Sequence, residues 1–164
     1  MTNLTFKRAD ISELPEMINL IIRSKSHFHP DKDQYVVDFV QAWGPNAYYI
    51  EDNILLIAKH RETSIGIIGM RSPSSNRPFA ELDLLFVDTS YIGQGYGKQL
   101  WNKVKEIANE KNWNSFRFIS DNIPEVSGFY EKLGAIRIEK INLPSGCFPI
   151  MEYTLSKVKH LSRK

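Results

Sequence analysis

The stretch LDLLFVDTSYIGQGYGKQL, Leu82 to Leu100, decides how the chain is read. An apolar run of strand character passes through DTSY into IGQGYG, and KQLWNKVKEIA then follows with helical spacing. A strand, a glycine-rich loop and a helix start therefore follow one another. Gly93, Gly95 and Gly97 lack Cβ, so the backbone can turn tightly and present successive N–H groups to a ligand. The first-turn amides of the helix and the positive end of its dipole point the same way. Such a loop is suited to a phosphate or a pyrophosphate.

The length of 164 residues fits one domain, 1–164, around a single core. With 42% hydrophobic and 24% charged residues, the composition is that of a globular chain without an apolar run long enough to span a membrane. MTNLTFKRAD shows no secretory pattern and the single Cys147 has no internal partner for a disulfide, so a cytoplasmic location is expected. The net charge of +2 is small, and much of it lies in the tail SKVKHLSRK. That tail reads as a solvated end, and no nucleic-acid or membrane partner is expected.

Thr5 to Arg8 reads as a short strand, and Asp10 or Ser12 can cap a helix through Met17, Leu20 and Ile21 with Pro15 in its first turn. Pro30 and Asp31 open a second helix through Val36, Val37 and Val40 to Trp43. Tyr48 to Ile50, Ile54 to Lys59, Ile65 to Met70 and Phe79 to Val87 read as strands, with SPSSNRP at Ser72 to Pro78 as a loop. In the helix after the glycines, Gly97, Leu100, Trp101, Val104, Ile107 and Ala108 form one buried stripe. Ser115 to Ile119 is a strand, and Pro124 to Leu133 is a short helix stopped by Gly134. Ile136 to Ile141 and Pro149 to Leu155 are closing strands. With the three-residue run Tyr48 to Ile50 left out, the order reads β, α, α, β, β, β, α, β, α, β, β. A meander followed by two βα units predicts an α/β (α+β) fold with a mixed sheet and helices on both faces.

Two nucleotide signatures fail residue by residue. A P-loop needs Ser or Thr after its Lys, whereas Gln99 follows Lys98, and Ile92 stands at its first glycine. In G-x-G-x-x-G the third glycine position falls on Lys98 or on Leu100. The segment instead resembles the acyl-CoA-binding motif of the GNAT superfamily of N-acetyltransferases, Arg or Gln, two residues, Gly, one residue, then Gly or Ala. Gly95 and Gly97 fit its glycines, and Ile92 stands where Arg or Gln is usual. GFYEKLGA, Gly128 to Ala135, resembles the family's second characteristic stretch, and ELDLLFV precedes the loop as in the family. The resemblance implies a mostly antiparallel sheet of about seven strands and acetyl-CoA as co-substrate, without a metal. It also implies cofactor contacts from Leu85, Phe86, Val87, Ile92, Gly93, Gln94, Gly95, Tyr96, Gly97, Lys98 and Asn122. The alternative is that the glycines serve only close helix and strand packing.

Acyl transfer from a thioester to an amine needs a neutral amine, a polarised carbonyl and a proton for the departing thiolate. A carboxylate near the acceptor can take the amine's proton, and Glu81 and Asp83 share a strand face leading into the loop. Position by resemblance puts Glu81 first and Asp83 second; both can equally be acids of a polar strand face. A backbone N–H around Phe86 to Asp88 can polarise the carbonyl. By resemblance, Tyr130 is the general acid toward the CoA sulfur. His27, Phe28, His29 and Tyr35 are expected to line the acceptor pocket, because the family forms it partly from its first two helices. His27 and His29 have no carboxylate or Cys at ligand spacing, so no metal is expected there. Cys147 has no His partner assignable from sequence, so direct transfer in a ternary complex is expected in place of a covalent acyl carrier. The sequence thus reads as an N-acetyltransferase of a small-molecule primary amine. A peptide amine as acceptor, or a CoA-binding module without catalysis, are the other readings, and homodimers are frequent in the family.

Overall fold

A computed structural model of the protein describes residues 3–156. Residues 157–164 of the basic tail, read above as a solvated end, lie outside the described residues. The seven strands are β1 (Thr5–Arg8), β2 (Ile54–His60), β3 (Thr63–Arg71), β4 (Ala80–Val87), β5 (Ser115–Ile119), β6 (Ile136–Leu143) and β7 (Gly146–Thr154). The helices are α1 (Leu14–Phe28), α2 (Asp33–Trp43), α3 (Ala47–Asp52), α4 (Tyr96–Glu110) and α5 (Pro124–Lys132). The strands form one sheet in the order β1-β2-β3-β4-β5-β7-β6, mostly antiparallel, with β4 and β5 parallel. This is the mixed α/β architecture expected from the sequence.

The chain divides into two compact units, residues 3–72 with 82–104 and residues 73–81 with 105–156. In the first, Asp10 and Glu13 form a capping box on the 3-10 turn Ile11–Glu13 that leads into α1. Met17, Leu20 and Ile21 of α1 are then buried with Leu55, Ile57, Ile67 and Leu84 of the sheet, and Phe39 and Val40 of α2 close over them. Gly66 on β3 gives α4 its seat: a Cβ there would meet Leu100 Cδ2 at 2.9 Å and the Phe86 carbonyl oxygen at 3.0 Å. Leu100, Trp101 and Val104 have no exposed surface, and each fully buried large side chain contributes roughly 1.5–3 kcal/mol.

In the second unit, Ile107 and Ala108 complete the buried stripe of α4. Asn112, at φ 61°, ends the helix with the Trp113 N–H on the Ala108 carbonyl at 2.9 Å. The parallel β4–β5 ladder comprises Ala80↔Phe116 and Glu81↔Arg117. β5 pairs antiparallel with β7 from Ser115↔Thr154 to Ile119↔Ile150. Phe116, Phe118 and Tyr130 stack there at centroid separations of 6.2 and 4.6 Å. Gly134, at φ 104°, follows α5 as the sequence predicts.

Four local expectations change. Tyr48 to Ile50 lies in helix α3, because the Asn46 side chain accepts the Tyr49 N–H at 2.9 Å and caps a turn where propensity alone suggests a strand. α2 starts at Asp33, since Asp31 takes a left-handed φ of 63° that stops a helix from beginning at Pro30. Val37 is 44% exposed, and α2 instead buries Val36 and packs the partly buried Phe39 against the core. The closing strands extend to Leu143 and from Gly146, making Asn142 to Pro149 a tight hairpin.

Two glycine substitutions separate crowding from helix propensity. Gly66→Ala should lower stability by about 1–3 kcal/mol through overpacking against Leu100 and Phe86. Gly128→Ala, inside α5 with open space at its Cβ position, should raise stability by up to about 1 kcal/mol. Urea unfolding midpoints of the ligand-free protein check both.

Candidate active site

In the first unit, β4 hands over to α4 through Asp88. The Asp88 side chain accepts the Thr89 N–H at 2.8 Å and starts the 3-10 turn Thr89–Tyr91. Ile92 is extended, then Gly93 and Gly95 take left-handed φ values of 82° and 87°. A Cβ at Gly93 would meet nothing within 4 Å, so the constraint there is the backbone angle alone. A side chain in that region costs roughly 1–2 kcal/mol. Gly93, Gln94 and Gly95 are exposed and Ile92 is half-buried. The Gln99 N–H bonds the Gly95 carbonyl at 3.4 Å. It follows that Tyr96, Gly97 and Lys98 supply the first-turn amides, the ones a helix cannot satisfy internally.

Side chains at the loop have separate duties. Gln94 donates to the Ser90 carbonyl at 3.0 Å. Tyr96 is buried, its ring 5.9 Å from Tyr91 and 6.2 Å from His60. Lys98 is exposed. Leu85, Phe86 and Val87 are half-buried, and Phe86 meets Phe39 of α2 edge-on at 5.9 Å. The Asp88 N–H donates to the Ile65 carbonyl at 2.8 Å. Strand alternation therefore turns the Leu85 and Val87 amides to the opposite edge of β4. Of the amides from Phe86 to Asp88, Val87 is the one directed there.

Asp83 is heavily bonded. Its Oδ2 accepts from Arg71 Nε and from the Tyr49 hydroxyl, both at 2.7 Å, and its Oδ1 accepts from Arg71 Nη2 at 2.9 Å. These bonds tie both carboxylate oxygens down, and the charge-assisted pair with Arg71 is stronger than ordinary hydrogen bonds. Gly69 makes room for this cluster, since a Cβ there would stand 3.0 Å from the Tyr49 hydroxyl.

At the α1–α2 junction, His27 and Phe28 belong to the last turn of α1, with rings 4.8 Å apart. His29 follows as its cap, 4.6 Å from the Tyr35 ring of α2. Lys25, unmarked by the sequence reading, is only 4% exposed. Its Nζ lies 4.3 Å from the Phe39 ring centroid and 5.4 Å from that of Tyr35. A helical lysine reads as solvated, and only the tertiary contact with α2 reveals otherwise.

In the second unit, Glu81 is half-buried, with Oε1 3.6 Å from Arg77 Nη1. Tyr130 is 8% exposed, against Phe118 and Phe129. Burial pushes its phenol well above the ordinary range, and the charge of Asp121 adds to the effect. It therefore keeps its proton at neutral pH. Asn122 donates to the Cys147 carbonyl at 3.3 Å and borders a cavity of about 400 Å³ on the β6–β7 hairpin, with Arg137, Lys140 and Phe148. Cys147 is an exposed free thiol on the same hairpin. Among the described residues, no three His, Cys, Asp or Glu side chains come together as a metal site, and no helix is long and apolar enough to cross a membrane.

An acetyltransferase (GNAT) domain model matches residues 28–148. No curated protein matches the chain significantly. The fold is similar to that of PaiA N-acetyltransferase from Thermoplasma acidophilum in complex with coenzyme A, at 19% identity and TM-score 0.76, covering 94% of this chain and 100% of that one. It is also similar to a GCN5-related N-acetyltransferase from Rhodopseudomonas palustris, at 13% identity and TM-score 0.78, covering 94% and 98%. A third likeness is to an aminoglycoside 6'-acetyltransferase type Ii, at 18% identity and TM-score 0.63, covering 92% and 96%.

Asp83→Asn weakens every bond to Arg71 and Tyr49 and should cost about 1–3 kcal/mol, which denaturant titration against the wild type measures.

Proposed function

The chain belongs to the GNAT acetyltransferase family and is an acyltransferase; from that premise we propose that it transfers the acetyl group of acetyl-CoA to a primary amine of a small molecule, directly and within a ternary complex. The observation that carries the reading is the handover from β4 to α4, with Gly93 and Gly95 left-handed and exposed ahead of the first-turn amides of Tyr96, Gly97 and Lys98. Those amides suit a pyrophosphate, and Ile92 leaves the task to the main chain because it has no side-chain donor. The Leu85 and Val87 backbone supports the same reading, since an edge of unpaired strand character can take the amide groups of a pantetheine arm.

Glu81 is the general base in this proposal. Asp83, bonded by Arg71 and Tyr49, holds the strand and does not take the proton. The Val87 N–H polarises the thioester carbonyl, as a fixed donor aimed at developing negative charge. Tyr130 gives its proton to the departing CoA thiolate; burial keeps the phenol in the protonated form that a donor needs, while making it a weaker acid. His27, Phe28, His29 and Tyr35 contact the acceptor.

Acetyl-CoA and CoA should raise the melting temperature while ATP and NAD leave it unchanged; stabilisation by ATP alone contradicts the proposal. CoA release with a panel of polyamines, amino acids, aminoglycosides and peptide N-termini tests the acceptor class, and turnover confined to peptides would exclude a small molecule. Tyr130→Phe should lower kcat about tenfold or more without changing the shape of the pH profile below pH 10, because the wild-type phenol does not ionise there. Glu81→Gln should lower kcat by about a hundredfold or more, the scale of a lost general base.

A further inference from the structure

Arg23 of α1 and Asp88 lie 65 residues apart in sequence and meet through two parallel bonds, Nε to Oδ1 at 2.9 Å and Nη2 to Oδ2 at 2.8 Å. The contact runs both ways, since the Thr89 hydroxyl donates to the Arg23 carbonyl at 2.7 Å. The carboxylate is the more sheltered partner, with side-chain exposures of 14% for Asp88 and 50% for Arg23. Hydrogen bonding within the pair holds the Asp88 carboxyl below its usual range and raises the Arg23 guanidinium.

Asp88 is also the point from which the glycine loop departs. Its N–H is on Ile65, its carboxylate takes the Thr89 N–H and its carbonyl takes the Tyr91 N–H at 2.8 Å, one residue before Ile92. Downstream, the loop is anchored by the buried Leu100 and Trp101 of α4. Between these anchors, Gly93 and Gly95 have more conformational freedom to lose on binding than any other residue type. Fixing the upstream end from a separate helix reduces the ordering cost of binding an anion there.

We propose that Arg23 is a positioning residue for acyl-CoA: through its clasp on Asp88 and Thr89 it sets the direction in which the glycine loop leaves β4. The proposal rests on the loop being the pyrophosphate site. Arg23 does not touch the cofactor in this account, so its loss appears in CoA affinity and not in the transfer step.

Calorimetric titration with CoA and steady-state kinetics, on the full chain, test this. Arg23→Gln should raise the CoA Kd and the acetyl-CoA KM about tenfold, the scale of one lost charge-assisted interaction. The kcat at saturating acetyl-CoA should stay within about twofold. Arg23→Lys, which restores the charge but not the paired bonds, should recover part of the affinity. Asp88→Asn added to Arg23→Gln should cost little more, because the amide oxygen can still take the Thr89 N–H and the contact with Arg23 is already lost. Thr89→Val, which removes only the return bond, gives a milder variant that should weaken CoA binding in the same direction. Wild-type Kd in Arg23→Gln, or a fall in kcat at unchanged KM, would overturn the clasp. A wild-type protein that binds no CoA would overturn the cofactor reading and the clasp with it.

Discussion

The backbone reversal between Val87 and Tyr96 is the constraint on which the site depends. A chain leaving an extended strand must turn into a right-handed helix within a few residues, and here it passes through left-handed angles at Gly93 and Gly95. Those angles are open to glycine and strained for almost every other residue. The same reversal that permits the helix leaves a series of amides without a strand or helix partner of their own. Fold and proposed ligand site are thus two consequences of one turn. Its two ends are held differently: α4 is fixed by apolar burial at Leu100 and Trp101, and the strand end by hydrogen bonds at Asp88.

The stripe of α4, the loop and the order of the strands were legible because each is written in local periodicity. Leu100, Trp101, Val104, Ile107 and Ala108 recur at helical spacing and are all buried. α3 escaped because Tyr48 to Ile50 have strand character, while the decisive group is the Asn46 side chain outside them. The closing hairpin was longer than predicted because its turn, Pro144 and Ser145, is tight enough to leave the flanking residues in strands. Gly66 and Gly69 were invisible for another reason. What they accommodate, Leu100 and the Tyr49 hydroxyl, is remote in sequence.

The site residues divide along the same line. Glu81 and Asp83 are interchangeable as letters in a strand, yet Arg71 and Tyr49 make one of them part of the scaffold. The sequence brackets the proposed oxyanion donor from Phe86 to Asp88, and the Asp88 N–H bond to Ile65 leaves Val87 as the amide on the opposite edge by alternation. Lys25 and Arg23 are the reverse case: nothing in the sequence marks either, and both are engaged, one against aromatic rings and the other on Asp88.

The central claim is that main-chain amides of the glycine loop and the α4 start hold the pyrophosphate of CoA. Amide resonances of Ile92 to Lys98, followed by NMR as CoA is titrated in, test it directly. The account predicts that the Gly93, Gly95 and Gly97 amides shift the most and slow their hydrogen exchange on saturation. CoA binding that leaves these amides unmoved, with the shifts elsewhere in the chain, would contradict it.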